Sequence, residues 1–188
     1  MSAGGACRTT GLRLLGTLLM TAAAACCQPN DVTGWTRIRW GMSYAEARDA
    51  FQGQVTDPRV ATSPEALLTD RFIVTDLRIG RITAEAAVQT ELESSQVVAV
   101  RLRVTGASAT GPARTGTFST LKHLLIMKYG SPQDEYHSPY GSGEIDTRLL
   151  WLFPSTSITL RWSEANNGEN SFITIRYEAL DGRALDAL

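Results

Sequence analysis

The strongest constraint on the fold is a strict alternation of apolar and polar residues in six short segments of the chain. In one of them, Val100, Leu102 and Val104 alternate with Arg101 and Arg103. A period of two residues gives a β-strand one buried face and one wet face, as in an antiparallel sheet that is covered on one side. The predicted strands have their apolar positions within 73–79, 84–92, 98–104, 147–153, 158–162 and 173–177.

A helix is predicted before the first three of these strands. Ser43 and Glu46 form a capping box, in which the hydroxyl and the carboxylate each accept a hydrogen bond from a free backbone N–H at the helix start. Tyr44, Ala47 and Phe51 then fall on one helical face. The first group of strands is therefore expected to carry a short amphipathic helix.

A second helix is predicted before the last three strands, in the stretch "TFSTLKHLLIMKYGSP". Phe118, Leu121, Leu124 and Leu125 lie on one side of this helix, and Gly130 ends it. The order of helix and strands thus occurs twice along the chain.

This repeated order indicates a duplication. We predict an α+β fold in which two tandem α-β-β-β units, 35–104 and 117–180, are joined by a linker at 105–116, with 181–188 as a tail. The six strands are expected to form one antiparallel sheet with both helices packed on its apolar face. Matched strand residues keep a nearly constant separation along the chain, in the pairs Leu77 and Trp151, Val88 and Trp162, and Val98 and Ile173.

The first residues predict that the chain is exported. Arg8 and Arg13 precede an apolar run, 14–25, which ends in small side chains suited to a peptidase groove. This run is too short to span a bilayer, since a spanning helix needs about 20 apolar residues. Residues 1–25 are therefore predicted to be a removable signal peptide, and 26–34 to be a tether to the folded part.

The cysteines favour attachment to a lipid. Cys7, Cys26 and Cys27 are the only cysteines, so the folded part must be stable without a disulfide. The small residues before Cys26 resemble a bacterial lipobox, in which the cysteine is lipidated and becomes the first residue of the mature chain; Cys27 is the alternative. The usual pattern has Leu where this chain has Ala23, so cleavage without lipidation remains open. The residue after Cys26 is not Asp, which by resemblance to lipoprotein sorting favours the outer membrane.

The charge of the mature part is that of an ordinary soluble surface. Without Arg8 and Arg13 the chain has 16 basic and 19 acidic residues, a net charge of −3. Basic residues do not cluster beyond short alternating strand positions, which argues against binding to nucleic acid or to an anionic membrane surface. The lipid anchor is the only membrane contact that we expect.

No catalytic motif is found in the sequence. No serine, cysteine or threonine lies in a pattern that pairs it with a histidine, and there is no Gly-rich phosphate loop. His137 lies in the acidic segment 134–146, but without the spacing of a metal site. We therefore expect neither a cofactor nor a metal, and we predict that the chain is not an enzyme.

The segment 134–146 is instead predicted to contact a partner. Tyr136, His137 and Tyr140 are amphipathic rings on a backbone rich in Gly, Ser and Pro, a composition that is common in binding loops. The alternative interpretation is a hairpin connection whose tyrosines pack on Trp151.

The stretch "IRWGMSYAEARDAF" resembles the Gly-Met-Ser/Thr helix start of the SmpA/OmlA (BamE) outer-membrane lipoproteins and of the related β-lactamase-inhibitor-protein fold. The second half resembles the same pattern, with "KYGSP" in place of Leu-Gly-x-Pro, and together these segments cover most of 35–180. The resemblance implies a periplasm-facing outer-membrane lipoprotein that acts as a protein-binding or assembly scaffold for an envelope protein. A secreted enzyme inhibitor that docks its sheet, or a small-ligand-binding module, is the alternative.

Overall fold

The computed structural model of the chain describes residues 31–58, 68–91, 93–106, 113–140, 144–165 and 170–180. The predicted signal peptide and both candidate lipidation sites, Cys26 and Cys27, lie outside these residues. In chain order the elements are β1 (Gly34–Trp35), β2 (Ile38–Arg39), α1 (Tyr44–Asp49), β3 (Val55–Thr56), β4 (Leu68–Ile79), β5 (Ile82–Glu91), β6 (Val97–Val104), α2 (Ala113–Tyr129), β7 (Asp134–Tyr140), β8 (Glu144–Leu152), β9 (Thr156–Ala165) and β10 (Asn170–Ala179).

An antiparallel sheet of eight strands dominates the structure. Its order is β3-β4-β5-β6-β10-β9-β8-β7, and the small hairpin β1-β2 forms a separate sheet. The two central strands, β6 and β10, pair antiparallel with Leu102 opposite Ile175. The prediction of an α+β fold built on an antiparallel sheet is confirmed.

Both helices cover the same face of this sheet. The ring of Tyr44 in α1 contacts Phe72 with 5.9 Å between ring centroids, and Tyr129 in α2 contacts Tyr177 with 6.4 Å. Phe72 and Tyr177 belong to one row of directly opposite residues, and such partners project from the same side of a sheet. All six members of this row are buried: Phe72, Val88, Val100, Tyr177, Ile158 and Trp151.

Helix α1 forms as its sequence predicts. The backbone N–H of Ser43 donates to the Glu46 carboxylate at 3.0 Å, and the backbone N–H of Glu46 donates to the Ser43 hydroxyl at 3.4 Å. Ala47 and Phe51 are buried, and the ring of Phe51 stacks on that of Trp35 in β1 with 5.8 Å between centroids. The capping box therefore fixes where the helix begins, and its apolar face fixes how the helix packs.

Helix α2 differs from the prediction in two respects. It begins at Ala113, inside the segment 105–116 that was predicted to be a linker. Leu124 is 41% exposed, so its assignment to the buried side was wrong. The buried stripe follows the helical period through Phe118, Leu121, Leu125 and Tyr129, and this places Leu124 on the flank of the stripe.

The sheet has two more strands than the six that were predicted. Strand β3 is two residues long, and among the described residues it pairs with β4 alone, as β7 pairs with β8 alone. Strand β7 occupies 134–140, where a loop was expected, and it pairs antiparallel with β8. No helix among the described residues is both long enough and apolar enough to cross a membrane.

Candidate binding site on the open sheet face

The face of the sheet opposite the helices carries a cleft of about 660 Å³. Five arginines line it: Arg101 and Arg103 from β6, Arg148 from β8, Arg161 from β9 and Arg176 from β10. They come together because the sheet order places β6 beside β10, and β10 beside β9. Each arginine lies on the wet face that the alternation predicts, and the strand pairing makes them one surface, which we call the arginine cleft.

Two pairs of these arginines lie directly opposite each other on neighbouring strands. Arg101 faces Arg176 across β6 and β10, and Arg148 faces Arg161 across β8 and β9. Like charges in such positions destabilise a sheet, by an amount on the order of 0.2–1 kcal/mol per pair. Each of these four arginines is also paired with a carboxylate, which offsets the repulsion.

A buried carboxylate fixes two of the arginines. The side chain of Asp146 is 2% exposed and accepts hydrogen bonds from Nη2 of Arg148 at 2.7 Å and from Nε of Arg161 at 2.8 Å. Burial alone would raise the pKa of Asp146, but the hydrogen bonds from Arg161 and Arg148 outweigh it and leave this pKa below its ordinary value. Asp146 is thus held ionised and anchors this side of the cleft.

Two aromatic rings complete the support of the same arginines. The guanidinium carbon of Arg161 lies 5.5 Å from the ring centre of Phe172, and that of Arg148 lies 5.6 Å from the ring centre of Tyr136. A guanidinium over an aromatic face gains electrostatic attraction and loses freedom to rotate. Arg148 and Arg161 therefore form a fixed wall of the cleft.

The other three arginines are held to different degrees. Arg176 donates to Glu178 through Nε and Nη2, both at 3.0 Å. Arg101 donates to Asp70 through Nη2 alone, at 2.9 Å. No hydrogen bond or ion pair joins Arg103 to any residue that the structure describes. The donors that are left for a ligand are therefore concentrated on β6.

The residues predicted to bind a partner do not share one surface. Tyr136 is 47% exposed and lies against Arg148, on the side of the arginine cleft. Its neighbour His137 projects to the helix side, where its Nδ1 lies 2.7 Å from the hydroxyl oxygen of Thr147. Tyr140 ends β7 and pairs with Glu144 in register, and its side chain lies outside the described part.

The five arginines were not singled out from the sequence. The available signal was weak: Arg101 and Arg103 alternate with apolar residues on one strand, and the other three each occupy a polar position of a different strand. Among the described residues, no three His, Cys, Asp or Glu side chains are grouped so that they could hold a metal ion. Comparisons of the chain with protein-family models, with curated proteins and with solved structures found no match.

Proposed function

We propose that this chain is an exported lipoprotein whose folded part is a non-enzymatic binding module for a protein of the cell envelope. The observation that carries the proposal is the asymmetry of the sheet. One face is covered by both helices, whereas the other bears an uncovered cleft with five arginines. A covered face supplies the stability, and an open charged face is left for a partner.

The chain after the proposed lipidation site is tied to the sheet. The Ser155 backbone N–H and hydroxyl donate to the Asp31 carboxylate at 2.9 and 2.6 Å, and the hydroxyl bond is the main reason that the pKa of Asp31 is lowered. Five residue steps separate Cys26 from Asp31, a reach of at most roughly 17 Å. A lipid on Cys26 would keep the β8–β9 turn near the bilayer and leave the face of the sheet accessible.

We also infer that the sheet descends from a duplicated unit, now a helix with four strands, β3–β6 and β7–β10. The register of the strand pairs supports this. Leu77 lies opposite Ala84, and Trp151 lies opposite Ile158, so the separation from Leu77 to Trp151 equals that from Ala84 to Ile158. The strand order is also symmetric about the central pair of β6 and β10.

The strand register changes the third of the residue pairs that were matched from the sequence, Val98 with Ile173. Val88 lies opposite Val100, and Trp162 lies opposite Ile173. Because Val88 corresponds to Trp162, the counterpart of Ile173 is Val100 rather than Val98. Val98 has no partner on β5, because the β5–β6 register is irregular between Gln89 and Thr90.

Metabolic labelling with an alkyne analogue of palmitate tests the anchor. We expect the wild-type protein and Cys27→Ser to incorporate the label, and Cys26→Ser to lose it, because only the first mature residue receives the acyl chains. Cys27→Ser is the matched control, since it makes the same change one residue away. If the wild-type protein takes up no label, the proposed lipid anchor is wrong.

The alternative is a freely exported enzyme inhibitor or small-ligand-binding module, and one observation favours it. Ala23 stands where a lipobox has Leu, which weakens recognition for lipidation and leaves the alanines as a simple cleavage site. Intact-mass measurement of the mature N-terminus separates the two. An acylated Cys26 supports the lipoprotein, and an unmodified terminus in a soluble periplasmic fraction supports the alternative.

A further inference from the structure

We propose that the arginine cleft binds an extended acidic segment of a partner protein, and that Arg101 and Arg103 hold two of its carboxylates. This inference rests on the proposed function and deepens it, because it names the chemistry of the partner.

Arg103 is the primary carboxylate-binding residue. It is exposed, and its direct neighbours across the strands are Glu85 and Thr174. Even so, Glu85 forms no ion pair with it among the described residues. A guanidinium with its whole fork of donors available matches the two oxygens of a carboxylate.

Arg101 provides a second donor set on the same strand. It uses a single Nη for Asp70, and the two side chains are 44% and 31% exposed. An ion pair between groups so accessible to water is weak, so it competes little with an incoming carboxylate. The other N–H groups of Arg101 can therefore donate to a ligand that also contacts Arg103.

The spacing of these two arginines sets the form of the ligand. Residues two apart on a strand project from the same face, about 6.6–6.8 Å from each other. An extended peptide with an acidic residue at every second position repeats this distance. The fixed guanidiniums of Arg148 and Arg161 add positive potential at the side of the same cleft.

Carboxylates within the cleft favour a peptide over a nucleic acid. Asp70 and Glu85 line the cleft, Asp146 lies beneath it, and Glu178 holds one of its arginines. These negative charges would repel the continuous phosphates of a nucleic acid, which require concentrated positive charge. A peptide presents separated carboxylates and can place neutral residues beside the acidic ones of the cleft.

Fluorescence anisotropy with the full-length protein and fluorescein-labelled (Ser-Glu)₃ tests the inference. We expect saturable binding that weakens as salt rises. Arg103→Gln should weaken it at least about tenfold, and Arg101→Gln should weaken it less. Arg78→Gln is the matched control, because it removes the same charge from an exposed position on β4 outside the cleft lining and should change little.

Two further measurements separate loss of binding from loss of folding and test the spacing of the charges. The thermal midpoint of Arg103→Gln should not fall, since that guanidinium has no partner to lose among the residues that the structure describes. The peptide Glu-Glu-Glu-Ser-Ser-Ser should bind more weakly than (Ser-Glu)₃, because its charges do not repeat the two-residue spacing. Equal binding of both peptides, equal loss in Arg78→Gln, or equally tight binding of succinate or inorganic phosphate would overturn the assignment. If the wild-type protein binds the peptide but takes up no lipid label, only the proposed lipid anchor is wrong. If it takes up the label but does not bind the peptide, only the proposed cleft site is wrong.

Discussion

Replacing Trp151 by alanine is expected to lower the free energy of unfolding by about 3–5 kcal/mol. The Trp151 side chain is fully buried in the row of residues beneath the helices, and its Nε1 donates to the carbonyl oxygen of Gly130 at 2.7 Å. The change removes the largest fully buried side chain among the described residues and also the bond that ties the end of α2 to the sheet. Urea unfolding followed by far-ultraviolet circular dichroism measures the loss.

Two phenylalanine variants separate the hydrogen bond from the packing. Trp151→Phe keeps a ring but leaves the Gly130 carbonyl without its donor, so we expect a loss of about 1–3 kcal/mol. Trp162→Phe is the matched control, because Nε1 of Trp162 is buried without a hydrogen-bond partner in the described part of the chain and its ring packs on Phe118. Its unfolding free energy should stay within about 1 kcal/mol of wild type. Equal losses in both variants would contradict the assigned role of Trp151.

Replacing Asp146 by asparagine is expected to lower the free energy of unfolding by about 2 kcal/mol at pH 7, since hydrogen bonds to a charged group contribute roughly 1.5–3 kcal/mol. The cost stays below that of a wholly buried pair because Arg148 and Arg161 are 48% and 39% exposed, so water can solvate them. Glu178→Gln is the matched control. It removes the partner of Arg176 from a pair that is 33% and 40% exposed, and should cost about 0–1 kcal/mol.

Acid should abolish the difference between wild type and Asp146→Asn. The pKa of Asp146 is lowered in the folded protein, whereas an unfolded aspartate titrates near about 3.9. The stabilisation is therefore complete above roughly pH 5 and declines as the pH falls through 4 towards the lowered value. Urea unfolding at several pH values between 7 and 2 measures this. A difference that is constant over the whole range would show that Asp146 does not stabilise the protein through its charge.

Local sequence patterns predicted the strands that lie inside the sheet. In β9, and in β6 from Val100 to Val104, one face lies against the helices and the other is at least partly exposed, so the apolar residues alternate along the chain. The capping box at Ser43 and Glu46 was readable for a similar reason, since it is made by residues three apart. Features that depend on near neighbours were thus available from the sequence.

Strands β3 and β7 could not be predicted in this way. An edge strand has a single neighbour, and along β7 both Glu135 and Tyr136 are exposed although they project to opposite faces. The residues of β7 therefore do not alternate between apolar and polar. Pro139 also favours a loop over a strand when the partner strand is unknown. The pairing of β7 with β8 decides its structure, and that pairing is not encoded in the composition of the segment.

The arginine cleft depends on contacts that are distant in the sequence. Arg101 and Arg176 belong to different halves of the chain, and they meet only because β6 and β10 pair at the centre of the sheet. The charge pattern of each strand predicted a wet face and nothing more. Tyr136 was selected for its amphipathic ring, and its place beside Arg148 follows from the β7–β8 register rather than from a binding loop.

Photo-crosslinking in native cells tests most directly whether the open sheet face is the binding surface. The photoreactive residue p-benzoylphenylalanine would be introduced at Tyr136, at the side of the cleft, and separately at Met127, which is 65% exposed on α2. We expect a protein adduct from position 136 that disappears with Arg103→Gln, and none from position 127. An adduct from position 127 alone, or one from position 136 that is insensitive to Arg103→Gln, would contradict binding through the arginine cleft.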